Sequence, residues 1–78
     1  MKTIPMSKLP LGRGATVYGL ICDGGLKRRF FDIGLFPNAS VKRVSKSPLG
    51  DPSCYMINGV LIAIRDRDAE KIKVMLEI

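Results

Sequence analysis

Histidine and tryptophan are both missing from this chain of 78 residues, and aromatic residues make up only 6% of it. Histidine is the usual general base near neutral pH and the commonest metal ligand in proteins. Without an imidazole, a serine or cysteine nucleophile lacks its ordinary activating partner. A chain this short also buries only about 60% of the surface that its unfolded form exposes, which leaves little material for a deep pocket. We therefore expect a binding protein and not an enzyme.

Long apolar runs are missing too, since no stretch approaches the roughly 18 consecutive apolar residues of a membrane span. The first residues carry one positive charge without an apolar segment behind it, because Pro5, Ser7, Lys8 and Pro10 interrupt. This start does not have the form of a secretory signal. We expect a single domain over residues 1–78 that stays in the cytoplasm.

Cysteine is scarce, and Cys22 and Cys54 are too few to define a disulfide framework. Together with Asp23 they are the candidate ligands for Fe²⁺ or Zn²⁺. A metal site needs three or four converging ligands, and the chain has neither a Cys-x-x-Cys pair nor a histidine. Without an export signal the two cysteines are expected to be reduced strand thiols, and the ligand count predicts no cofactor.

Positive charge is abundant, because 13 Lys and Arg against 7 Asp and Glu give a net charge of +6. Such an excess favours an acidic partner: a nucleic acid, an anionic lipid surface or an acidic protein face. Nucleic-acid surfaces usually combine basic residues with exposed aromatic ones. Aromatic residues are few here, so a basic nucleic-acid-binding barrel is kept as the alternative function.

Short apolar runs separated by glycine and proline predict five strands. They cover residues 15–22, 40–46, 53–57, 60–65 and 73–78. Gly19 within the first strand, and the spacing of three between Val41 and Val44, each indicate a bulge. Five short strands with tight turns form a small barrel most economically. The predicted fold class is therefore mostly β.

Two segments define the ends of this sheet. Residues 1–13 contain two prolines and are interpreted as a flap with at most one helical turn. Its apolar residues are expected to close one end of the core: Ile4, Met6, Leu9 and Leu11. Asn58-Gly59 predicts a two-residue type I′ hairpin turn. The strand after it, residues 60–65, is apolar on both faces, which predicts a central strand or one covered twice.

One α-helix is predicted over residues 25–33, inserted after the first strand. Leu26, Phe30 and Ile33 recur at helical spacing and form its buried face. Gly34 follows at the position where a left-handed backbone conformation commonly ends a helix. After it, Pro37-Asn38 predicts a tight turn in which Asn38 takes positive φ.

The first turn of this helix carries three consecutive cations, Lys27, Arg28 and Arg29. Positive charge at a helix N-terminus opposes the helix dipole by a few tenths of a kcal/mol per residue. Because the placement is locally unfavourable, we predict that these residues contact an acidic partner. The other interpretation is a plain solvated face, as most charge runs are.

The order of motifs resembles a known family, ferrous iron transport protein A (FeoA). Segment 24–38 is similar to the family's succession of glycine, basic helix and Leu-Gly-Leu turn, with Asn38 in place of the usual glycine after proline. Segment 48–52, Pro-Leu-Gly-Asp-Pro, matches a loop of the family. Segment 59–65, then residues 68–69 and 72–74, match its closing hairpin and last strand.

The resemblance implies an SH3-like five-stranded barrel with one inserted helix. It also implies a cytoplasmic accessory protein of FeoB, the membrane ferrous-iron transporter with a GTPase domain, whose activity it would modulate by protein–protein contact. Contact with the membrane would then come through the partner only. A similar barrel occurs as the C-terminal domain of iron-dependent repressors, so a metal-binding regulatory module is a further alternative.

Three more residues complete the predicted partner-binding set. Leu49 lies at the tip of the loop stiffened by prolines 48 and 52, and a rigid loop loses little entropy on docking. Asp51 stands beside it. Leu35 is interpreted either as part of an exposed apolar patch or as a cap on the barrel core.

Overall fold

A computed structural model describes residues 2–76 of the chain. The element order is β1 (Thr3–Pro5), a single 3-10 turn (Met6–Lys8), β2 (Gly14–Leu20), α1 (Gly24–Asp32), β3 (Ser40–Lys46), β4 (Ser53–Ile57), β5 (Val60–Ile64), α2 (Asp66–Ala69) and β6 (Ile72–Leu76). None of the helices within these residues is long and apolar enough to cross a bilayer.

Six strands form one antiparallel sheet in the order β1-β6-β2-β3-β4-β5, one strand more than the sequence predicts. The additional strand is β1, in which Thr3 pairs with Met75 and Pro5 pairs with Lys73. The sequence did not predict this strand because Pro5 lies in it. An edge strand tolerates proline, since the side of the strand that faces away from the sheet needs no N–H donor. The last predicted strand extends to residue 78, and its final two residues lie outside the described part.

The segment after β1 contains the predicted helical turn, observed as a 3-10 turn over Met6–Lys8. Met6 and Leu9 are fully buried, as expected, and Ile4 packs against the core. Leu11 is exposed, so its predicted place in the core is wrong. The turn at Leu11 and Gly12 lifts that side chain away, because Gly12 takes a left-handed backbone conformation with φ 81°.

The core is a single cluster of buried apolar side chains, in which α1 takes part through Phe30. It consists of fourteen buried apolar residues, contributed by every strand except β1 and by both helices. Phe30 is the buried residue of α1, while Leu26 is half-buried and Ile33 largely exposed, so the predicted helix face is only partly buried. Helix α1 begins and ends one residue earlier than predicted.

The predicted bulges and turns are confirmed. The strand register shifts between Val17 and Gly19 and again between Arg43 and Ser45. At the end of α1, the Leu35 N–H donates to the Phe30 carbonyl at 2.8 Å and the Gly34 N–H donates to the Phe31 carbonyl at 3.1 Å. These two hydrogen bonds define a Schellman motif, with Gly34 at φ 98°.

The two asparagine turns also have their predicted backbone. Asn38 has φ 77°, and Asn58 and Gly59 have φ 50° and 86°. Positive φ at both central residues is the requirement of a type I′ hairpin turn.

Strand β5 is an edge strand, and the prediction that it lies centrally or is covered twice is wrong. Only Ile64 of its five residues is buried, whereas Val60 is 58% and Leu61 54% exposed. Apolarity on both faces usually indicates cover on both faces. Within residues 2–76, the exposed face of β5 has no such cover.

Candidate functional site

The candidate site is the free edge of β5. The two-residue hairpin makes Ile57 and Val60 a hydrogen-bonded pair, and antiparallel pairs alternate between bonded and non-bonded. Ile62 and Ile64 therefore bond to β4, while Leu61 and Ala63 direct their N–H and C=O groups away from it. Among the described residues, nothing pairs with these four backbone groups.

A groove runs between this edge and α1. It has a cavity volume of about 250 Å³ and is lined by Arg29, Phe30 and Ile33 of the helix side and by Ala63, Ile64, Arg65 and Asp68 of the strand side. Four of these residues are apolar, and two exposed guanidinium groups against one carboxylate give the lining a positive balance. The groove can therefore hold an extended segment that carries apolar and acidic residues.

The loop before β4 stands at one end of this groove. Asp51 Oδ1 accepts a hydrogen bond from the Asp66 N–H at 2.9 Å, and Asp51 Oδ2 lies 3.9 Å from an Arg65 guanidinium nitrogen. Asp51 thus fixes the loop to the end of β5. Leu49, two residues earlier, is 95% exposed and touches no part of the core.

The structure divides the predicted basic cluster. Arg29 lines the groove beside β5, whereas Lys27 and Arg28 line a separate shallow depression on the outer side of α1. Leu35 is fully buried in the core, so of its two interpretations the structure supports the cap on the barrel core and not the exposed patch. Its N–H closes the Schellman motif, and that bond turns the side chain inward.

The cysteine candidates do not form a metal centre within residues 2–76, where no three His, Cys, Asp or Glu side chains cluster. Cys22 follows β2 and packs against the core, and Cys54 lies in β4; both are half-buried free thiols. Asp23 precedes α1 without capping it through its side chain. The residues present do not fit a metal site of this chain alone.

Sequence reasoning missed Arg43, which is 6% exposed. Its guanidinium donates to the Leu9 carbonyl at 2.9 Å, to the Ser7 carbonyl at 3.2 Å, and to Ser53 Oγ at 2.7 and 3.3 Å. Asp66 Oδ1 lies 4.0 Å from the same group. Arg43 therefore ties the 3-10 segment to β3, β4 and α2.

Tyr55 stacks beneath this arginine, whose guanidinium carbon lies 6.0 Å from the ring centroid. The phenol donates to the Met6 carbonyl at 3.3 Å. Burial raises the pKa of Tyr55 above its ordinary value of 10.0, and the charge of Arg43 opposes that shift. A period of two starting from the buried Val41 points to residue 43 as inward-facing, which is the signal that could have revealed Arg43.

This arrangement defines a class: a small SH3-like domain with an open sheet edge. The family model of the FeoA domain matches residues 4–76. The chain belongs to the FeoA family. No match was found among the curated proteins.

Similar solved structures agree with this assignment. The FeoA protein from Chlorobium tepidum is 34% identical; the match covers 94% of this chain and 70% of that one, with a TM-score of 0.87. FeoA from Stenotrophomonas maltophilia, complexed with zinc and reported as an SH3 domain protein, is 25% identical over 96% and 91% of the two chains, with a TM-score of 0.79. IdeR from T. acidophilum is 18% identical over 99% and 35%, with a TM-score of 0.85, and shares the fold alone.

Proposed function

We propose that this chain is a small cytoplasmic accessory protein of ferrous iron uptake, acting by contact with a FeoB-type GTPase-permease. Membership of the FeoA family supports the link to iron transport. The observation that carries the contact is the free β5 edge, where four backbone groups and two exposed apolar side chains have no described partner. In this role the chain binds and does not transform a substrate, and it needs no cofactor.

The contact we propose is the addition of a strand to β5. An extended segment of the transporter would pair with the outward backbone groups of Leu61 and Ala63 and lie in the groove beside α1. Arg29 and Arg65 would meet its carboxylates, and their attraction would speed association more than it strengthens the complex. Leu49 would add an apolar contact at the end of the groove.

Such a contact modulates the transporter only through a difference in affinity. If the transporter's cytoplasmic part has two states, the accessory protein shifts their balance by the ratio of its affinities for them. Binding with GTP, with GDP and without nucleotide therefore measures the regulation directly. Likeness to IdeR adds no support for a metal-binding regulatory module, because it extends to the fold alone.

The test is retention of the transporter's cytoplasmic part on the immobilised chain in each nucleotide state. Leu61→Lys places a charge on the edge, the substitution by which edge strands are commonly protected from pairing. Val44→Lys is the matched control, because it puts the same charge in place of an exposed apolar residue of β3. We expect at least tenfold weaker retention of Leu61→Lys and unchanged retention of Val44→Lys.

Two results would contradict the proposal at different levels. Equal retention of the wild type and Leu61→Lys would remove the β5 edge as the contact. Failure of the wild-type chain to retain the transporter in any nucleotide state would remove the function itself.

A further inference from the structure

The outer side of α1 carries a second surface, separate from the groove. Lys27 and Arg28 line a shallow depression there together with Gly24, Phe31 and one carboxylate, that of Asp32, so the charge of the lining is still positive. The Phe31 ring packs edge-on against Phe36, with centroids 6.4 Å apart and planes inclined by 69°. Lys27 Nζ lies 5.8 Å from the Phe31 centroid. Lys27, Arg28, Phe31 and Phe36 are called the basic–aromatic face.

Folding does not account for this face. Phe31 and Phe36 are 42% and 41% exposed, while the neighbouring Phe30 supplies the helix's buried side chain. The first turn of α1 contains no acidic residue, so Lys27 lies there against the helix dipole, although Asp23 precedes the helix. Arg29, in the last turn, is favourably placed, which corrects the prediction that all three cations stand in the first turn. Local stability would favour polar side chains in place of the two exposed rings.

We propose that the basic–aromatic face binds the surface of an anionic lipid bilayer. A bilayer interface accepts both features at once, since cations meet anionic headgroups while aromatic rings enter the boundary with the acyl chains. This proposal goes beyond the function proposed above and replaces the expectation that membrane contact comes through the partner only. It places α1 against the bilayer that holds the proposed transporter.

Other acidic partners fit the face less well. Bases of a nucleic acid stack on open ring faces. Here Lys27 lies over the Phe31 ring, and the same ring is engaged by Phe36. An acidic protein surface would pair with the cations but would leave both rings against polar groups.

The absence of tryptophan from the chain allows a direct test. Phe31→Trp introduces a single fluorophore on the proposed face, and Leu49→Trp introduces one on a loop tip that is 95% exposed and does not belong to that face. With vesicles of phosphatidylcholine containing about one third phosphatidylserine, we expect a blue shift for Phe31→Trp and none for Leu49→Trp. With phosphatidylcholine alone, both emissions should stay unshifted. An unshifted Phe31→Trp with the anionic vesicles would overturn the proposal.

Charge reversal on the same face provides the second readout. Lys27→Glu with Arg28→Glu should weaken sedimentation with the anionic vesicles by about tenfold or more, since each cation near such a surface contributes about fivefold. Lys42→Glu with Lys46→Glu changes the net charge equally on β3 and should retain most of the binding.

Equal losses for the two double variants would mean that net charge alone drives binding, and would overturn the proposal. A different ligand would also overturn the proposal. This would be the result if the wild type bound a single-stranded oligonucleotide, Phe31→Ser did not, and the wild type failed to sediment with the anionic vesicles. The vesicles contain no transporter, so this result and that of the retention experiment are independent.

Discussion

Two regions of the same sheet differ in whether their polar groups are paired and their apolar side chains buried. Around Arg43, a buried charge is surrounded by two carbonyls, a hydroxyl and a nearby carboxylate. Along β5, backbone groups of Leu61 and Ala63 have no described partner, and apolar side chains face outward. The polar groups around Arg43 are paired within the chain, whereas the outward groups of the β5 edge are unpaired among residues 2–76.

Because of this difference, we expect mutations in the Arg43 region to change stability and mutations at the β5 edge to change binding. A buried cation held by several acceptors is costly to disturb, because each acceptor that loses its donor stays desolvated. An exposed edge contributes little to folding, so changes there leave the fold intact while they alter what the surface can bind.

The strongest way to test this contrast is Arg43→Met. We expect the free energy of unfolding in urea to fall by about 3 kcal/mol, because the Leu9 and Ser7 carbonyls and Ser53 Oγ all lose their donor. The control is Lys42→Met, the same change at the exposed neighbour, with an expected effect within about 0.5 kcal/mol. Similar losses in the two variants would show that Arg43 does not hold this region together.

A smaller effect is expected for Tyr55, and it depends on pH. Its pKa is higher in the folded than in the unfolded chain, so the folded state keeps a proton that the unfolded state releases. Its contribution to stability is full below the unfolded pKa of about 10 and is lost as pH rises through the folded pKa.

Urea unfolding between neutral and strongly alkaline pH measures this dependence. Tyr55→Phe should lose about 1 kcal/mol at neutral pH through its missing hydrogen bond to the Met6 carbonyl, and should show a shallower alkaline decline. Tyr18→Phe removes an exposed phenol and serves as the control. Parallel declines in wild type and Tyr55→Phe would contradict the assignment.

The smallest effect is expected at the open edge. Leu61→Lys should change the free energy of unfolding by less than about 0.5 kcal/mol, because the side chain is already half exposed and leaves the core untouched. The same variant is expected to lose transporter binding. A loss above about 1 kcal/mol would make Leu61 part of the folded core, and the contrast between the two regions would disappear.

Local signals in the sequence predicted the turns and bulges. Gly34 ends α1 and Asn58-Gly59 turns the hairpin because positive φ is a property of a few residue types at short range. The bulge beside Arg43 followed from the spacing of two valines. The SH3-like fold followed from the order of motifs along the chain.

Positions set by distant parts of the chain could not be predicted in the same way. The edge position of β5 depends on which strand pairs with β6, and that place is taken by β1 from the other end of the chain. The burial of Arg43 requires acceptors from residues 7 and 9, far from it in sequence. The separation of Arg29 from Lys27 and Arg28 depends on how α1 rests against β5.

Asn58 connects the hairpin between β4 and β5 to the end of α1. Its amide Nδ2 donates to the Gly34 carbonyl at 3.1 Å, and its Oδ1 accepts from the Ser40 N–H at 3.2 Å. A methyl group on Gly34 would come within 2.9 Å of that amide, so the helix end and the hairpin are in close contact. The end of α1 and the hairpin are thus joined at Gly34 and Asn58, whereas Arg65 lies after the opposite end of β5. If a strand adds to β5 as proposed above, the contact at Asn58 bounds its length at the hairpin, and its other end lies beside Arg29 and Arg65.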